Sequence, residues 1–116
     1  MQPDLLEAYH YRGIVRYGMK DLDGALADYN KAISLGLKSS AVYFNRGVIF
    51  HQKGQLSDAI ESYSRSIEID PSNARAYYNR AISKLIVDNY KEALQDLEIS
   101  KRLGYSKAAE VISQYY

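Results

Sequence analysis

The chain has no cysteine and no tryptophan, and only two prolines and two phenylalanines. Without cysteine there is no disulfide, no thiolate metal site and no cysteine nucleophile. That absence fits a reducing compartment, and a cytoplasmic location is the expectation. Neither sign of charge is in excess: Lys and Arg number 15 against 14 Asp and Glu, a net charge of +1. No general field therefore draws the chain to nucleic acid or to an anionic membrane, and neither is an expected partner. No run approaches the ~18 consecutive apolar residues of a spanning helix. Met1-Gln2-Pro3-Asp4 lacks the basic segment and apolar stretch of a signal peptide. The expectation is a soluble single domain over residues 1–116, whether whole or cut from a longer protein, with enough core to fold without covalent staples.

What is present is a register. Rows offset by 34 residues align Tyr9 with Tyr43 and Tyr77, Arg12 with Arg46 and Arg80, and Ala25 with Ala59 and Ala93; Tyr29 and Tyr63 share a column with Leu97. Self-similarity at such a period belongs to solenoids, whose units bury an apolar face only by stacking on their neighbours.

Within the middle unit, Leu56, Ala59, Ile60, Tyr63 and Ile67 recur at the three-four spacing of one helical stripe. Tyr43, Gly47 and Phe50 form an earlier stripe, with Phe44, Val48 and His51 beside it. Lys53-Gly54-Gln55 separates the two helices, with Gly54 as left-handed C-cap and Ser57 as N-cap. The same reading predicts helices near 4–18 and 22–35, and near 74–87 and 90–103. Gly36-Leu37-Lys38-Ser39, Asp70-Pro71-Ser72-Asn73 and Gly104-Tyr105-Ser106 join the units. Ala108, Ala109, Val111, Ile112 and Tyr115 read as a seventh, capping helix over 108–116.

Gly13, Gly47 and Ala81 are small where paired helices cross, with Ala25, Ala59 and Ala93 opposite. The tyrosine columns read as packing, their hydroxyls reaching water or a carbonyl at the core's edge.

These columns resemble the tetratricopeptide repeat (TPR), whose 34-residue pattern runs aromatic, Leu-Gly, Ala, aromatic, Ala and Pro. Tyr9, Gly13, Ala25, Tyr29 and Ala32 match in the first unit, and Tyr43, Gly47, Ala59, Tyr63 and Pro71 in the second. Tyr77, Ala81 and Ala93 match in the third. The resemblance implies an all-α fold, a right-handed superhelix (α-solenoid) of three helix-turn-helix hairpins at 6–39, 40–73 and 74–107 plus the cap. Where the family has leucine, this chain has Arg12, Arg46 and Arg80. A buried guanidinium needs a partner, so Arg12 and Arg80 are expected to pair with Asp28 and Asp96 or with close backbone carbonyls, Ser62 standing at the matching place in the middle unit. The alternative lays the arginine stems on the core with their heads in water.

In such a repeat the first helices line a concave groove that binds an extended peptide or a partner helix. Carried over, the candidate groove residues are His10, Tyr11 and Ile14, then Phe44, Asn45 and Val48, then Arg75, Tyr78, Asn79 and Ile82. Glu7, Tyr17, His51, Gln52 and Leu85 share that face. Tyr11, Phe44 and Tyr78 would form an apolar patch, and the Asn45 and Asn79 amides would grip a ligand backbone. The family's two-carboxylate clamp for acidic chaperone tails needs lysines, asparagines and an arginine where this chain has His10, Ile14, Asn45, Arg75 and Asn79. Only Asn45 matches fully and Arg75 conservatively, so the clamp is incomplete.

The expected function is thus a non-catalytic protein-interaction module with a protein or peptide ligand and no cofactor, as a monomer or weak homo-oligomer. A self-associating scaffold and a binder of acidic tails are the alternatives. Arg75, Lys84, Lys101, Arg102 and Lys107 alternate with Asp88, Glu92, Asp96 and Glu98, unlike a phosphate track. His10 and His51 do not form a metal pair: His51 lies seven residues past the place matching His10, ~10 Å of axial rise on top of the ~8–10 Å between helices. No glycine-rich phosphate loop, HExxH or GxSxG motif is present, and an enzyme is not expected.

Overall fold

The computed structural model describes residues 4–116. Among them lie seven α-helices and no strand: α1 Leu5–Gly18, α2 Leu22–Ser34, α3 Ser40–Gln52, α4 Leu56–Ile69, α5 Ala74–Ile86, α6 Tyr90–Arg102 and α7 Ser106–Tyr115. The helices predicted from periodicity are there, with ends within a residue or two. The fold is an all-α helical repeat.

The helices group into two compact units. One ends at Ser39 and holds α1 packed on α2; the other runs Ser40–Tyr116 and holds the α3–α4 and α5–α6 hairpins, with α4 against α5 and α6 against α7.

Local chemistry sets the helix ends. The Asp4 carboxylate accepts the Glu7 amide at 2.8 Å, that of Asp21 accepts Gly24, and the Asn73 side chain accepts Ala76. Ser57 is not the N-cap expected for α4. That helix already begins at Leu56, so Ser57 sits inside the first turn and Gln55 holds the cap position without a side-chain hydrogen bond. The turn within each hairpin is built one way three times. Asp21 N donates to Arg16 O, Gln55 N to Phe50 O and Asn89 N to Lys84 O, closing over a left-handed residue. That residue is Gly54 in the middle hairpin (φ 76°), but Lys20 (φ 65°) and Asp88 (φ 64°) in the others.

The crossings are set by size. A Cβ on Gly13 would stand 2.8 Å from the Tyr29 ring, and one on Gly47 would stand 2.5 Å from the Tyr63 ring. In the third hairpin both members change, Ala81 facing the column of Leu97, and both are fully buried. Tyr29 and Tyr63 are 0% and 2% exposed, so their rings are packed as expected; Tyr9 and Tyr43 are half-buried. Ala108 and Val111 of α7 pack with Ala81, Ala93 and Leu97, so the last helix covers the apolar face of the α5–α6 hairpin.

The arginine column is paired as expected, with an addition. Arg12 grips Asp28 through two hydrogen bonds of 2.9 and 2.8 Å, and Arg80 grips Asp96 through two of 2.8 and 2.7 Å. Arg46 donates to Ser62 and to Glu61. The alternative survives in part at Arg12, whose side chain is 54% exposed although it is paired. Each guanidinium also lies over the tyrosine three residues before it, at 5.5, 4.9 and 5.8 Å from the rings of Tyr9, Tyr43 and Tyr77. Column neighbours are thus one stacked unit, because positions three apart share a helix face. Hydrogen bonding by Arg12 holds the Asp28 carboxyl below its ordinary range, against the opposing effect of burial. Asp96 receives a second cation, Lys84, at 2.9 Å.

Candidate functional site

The helical register puts Val48, His51 and Gln52 on one face of α3, and Tyr78, Asn79 and Ile82 on the neighbouring face of α5. In the structure these six close around Tyr63 of α4 to form an open cleft of about 250 Å³. Its floor is aromatic and aliphatic. Its polar groups are the imidazole of His51 and the amides of Gln52 and Asn79. The His51 Nδ1 lies 3.3 Å from the hydroxyl of the fully buried Ser83, which ties the ring to α5.

A second, larger cleft of about 540 Å³ opens on the other side of α5. Tyr78 and Ile82, one turn apart, wall this cleft too, joined by Leu85 and Ile86 further along the helix. Tyr90 closes one end, and α7 supplies Val111, Gln114 and Tyr115. The Tyr78 ring packs edge-on against Tyr105 at 5.0 Å, and burial raises the pKa of its hydroxyl above the usual phenol value.

The residues singled out from sequence divide as follows. Val48, Tyr78, Asn79 and Ile82 meet in the first cleft. Phe44 and Arg75 engage each other, the guanidinium 5.6 Å from the ring centre, while Phe44 also packs against Tyr63. Asn45 lies on α3, half-buried, outside the cleft lining. His10, Tyr11 and Ile14 belong to α1 in the first unit, where His10 and Tyr11 stack at 5.5 Å and Tyr11 and Ile14 are exposed. Of the expected aromatic patch, Phe44 packs against Tyr63, which lines the first cleft with Tyr78, and Tyr78 packs edge-on against Tyr105.

Sequence reasoning missed the far cleft, because α7 reads as a cap whose role ends with covering α6. Its signal was the polar-aromatic end Gln114-Tyr115, which continues the stripe of Ala108 and Val111 at i+3 and i+4 from Val111. It also missed the hydroxyls that lock hairpins: Ser66 donates to Ser40 O at 2.9 Å and Ser100 to Ala74 O at 2.8 Å, both serines fully buried. Their recurrence at one column of the register was the available clue.

Among the described residues no group of His, Cys, Asp and Glu could hold a metal ion, and no helix is long and apolar enough to cross a membrane.

Comparison with known proteins agrees with this geometry. Residues 47–84 match the family model described as TPR repeat. No curated protein matches the sequence. Among solved structures, the Arabidopsis OM64 TPR domain is 26% identical with a TM-score of 0.82, covering 96% of this chain and 93% of its own. The second TPR of Spaghetti (RPAP3), bound to the HSP90 peptide SRMEEVD, has 19% identity and a TM-score of 0.77 over 86% of this chain and 93% of its own. The TPR2B domain of yeast Sti1, in a complex with pHsp70, has 22% identity and a TM-score of 0.74 over 93% and 98%. At the last two identities the likeness is one of fold. TPR domains mediate protein–protein interaction, and their fold is a non-catalytic one. The sequence match over residues 47–84, together with the helical-repeat fold, makes this chain similar to tetratricopeptide-repeat proteins.

Proposed function

We propose that the chain is a non-catalytic interaction module that takes a segment of a partner protein on the face built from α3, α5 and α7. The observation that supports this reading most is the cleft in which Val48, Tyr78, Asn79 and Ile82 meet around an apolar floor. Apolar lining with a few placed polar groups is the usual composition of a recognition site. The Asn79 amide offers both a donor and an acceptor at its rim and has no hydrogen-bond partner among the described residues. Phe44, Asn45 and Arg75 flank the cleft as secondary contacts. His10, Tyr11 and Ile14 present a separate apolar strip on α1, with Tyr11 58% and Ile14 46% exposed.

Two of the similar structures are complexes with an HSP90 peptide and with pHsp70, and the chemistry here argues against that ligand class. Two carboxylates need several free cations. Of the positions that would supply them, Ile14 is apolar, Asn79 is neutral and Arg75 lies over Phe44.

The test is selection of a phage-displayed random peptide library on the wild-type protein, followed by binding to Asn79→Ala with its helicity checked by circular dichroism. Enriched peptides should bind the wild type and lose at least tenfold in affinity on the variant. Equal binding to both would place recognition elsewhere on the chain.

A further inference from the structure

The two clefts of the second unit share a wall and a chemistry. Tyr78 and Ile82 form a ridge along α5, with α3 across one cleft and α7 across the other. Not one residue lining either cleft is Asp, Glu, Lys or Arg, although those types make up 25% of the chain. A face this poor in charge, on a surface otherwise rich in it, complements a segment that is itself uncharged. A charged side chain placed there would lose water and gain no counter-ion.

The rim adds a second constraint. Each of the three helices contributes one side-chain amide: Gln52 from α3, Asn79 from α5 and Gln114 from α7. None of the three has a hydrogen-bond partner among the described residues. An amide matches the free N–H and C=O of an extended backbone, groups that a helical ligand has already used internally.

Resting on the interaction reading above, we infer that this face takes an uncharged, extended segment of a partner protein, with one apolar side chain seated on each side of the Tyr78–Ile82 ridge. The clefts flank one helix, so the anchors stand about a helix width apart, ~10 Å. In an extended polyproline-type chain, residues i and i+3 share a face and lie ~9.3 Å apart. The motif is therefore two large apolar residues at i and i+3, with neutral residues between and beside them.

The probe is the same random library, displayed as 12-residue peptides, read now for the sequence of its enriched members. The expected clones carry the i, i+3 apolar pair without flanking charge. Changing either anchor to Ser in a synthetic copy should cost at least tenfold in affinity. The variant Tyr115→Ala, at a residue 69% exposed and so tolerant of change, should weaken binding and largely remove the penalty of losing one anchor but not the other. Gln52→Ala should weaken binding without sparing either anchor. Clones that depend on Asn79 but carry clustered carboxylates, or only one anchor, would overturn the two-anchor inference and leave the interaction reading standing. Clones that bind Asn79→Ala and Tyr115→Ala as well as wild type, or no enrichment over an unrelated helical protein, would overturn both.

Discussion

The ring of Tyr63 occupies the space in which a Cβ on Gly47 would stand, its Cε1 2.5 Å from that position. The glycine is there because α3 and α4 cross at the tyrosine ring, and neither residue is replaceable alone. Gly47→Ala should destabilise by about 1–2 kcal/mol, overpacking outweighing the better helix propensity of alanine. Adding Tyr63→Leu reproduces the Ala81 and Leu97 combination of the third hairpin. The double variant should recover most of that loss in a urea denaturation series, and strict additivity of the two changes would contradict this account.

Asp96 lies between two nearly buried cations, Arg80 at 18% and Lys84 at 12% side-chain exposure. Asp96→Ala leaves both without their counter-charge and should cost about 3–5 kcal/mol. Asp28→Ala should cost clearly less, because Arg12 and Arg16, at 54% and 35% exposure, fall back on water. Thermal unfolding of the two variants, compared at one pH, gives the order.

The Asp28 carboxyl titrates below its ordinary value of 3.8 in the folded protein. A carboxylate depressed by folding contributes stability that is present above the unfolded pKa and is lost as pH falls through the folded one. Asp70, lowered by hydrogen bonds from Ser72, acts in the same direction. Urea midpoints should therefore be insensitive to these two groups near neutrality and drop below about pH 4. In Asp28→Asn that acid-side slope should be shallower, and an unchanged slope would remove Asp28 from the explanation.

Lys20 and Asp88 adopt the left-handed backbone that Gly54 takes at the same place in the middle hairpin. Lys20 is exposed, so Lys20→Gly should raise stability by up to about 1 kcal/mol by relieving strain. Asp88→Gly should gain less, since it forfeits the hydrogen bond from the Tyr90 hydroxyl at 2.9 Å. Gly54→Ala should be destabilising. Melting temperatures of the three variants check the order.

The arginine column shows how far the chain alone could be read. That Arg12 and Arg80 need counter-charges followed from burial cost, and Asp28 and Asp96 were the carboxylates at the right register. The stacking of each guanidinium on the tyrosine one turn back was equally implicit in the three-residue spacing, yet a periodic tyrosine column looks the same whether its rings face core or cation. Ser57 failed as a cap because capping residues and first-turn residues share a composition, and only the backbone bonds distinguish them.

The sequence by itself determined the repeat, the helical hairpins, the close-approach positions and the arginine pairs, because each rests on spacing along the chain or on charge that must be met locally. Tertiary structure alone decided which residues meet in the two clefts. Val48, Asn79 and Tyr115 come from three helices, and nothing in their spacing says that α5 presents one ridge to two clefts. Nor does it say that Phe44 and Arg75 are spent on each other. Which exposed side chains meet depends on how hairpins pack, and packing is set by the buried residues on the opposite faces.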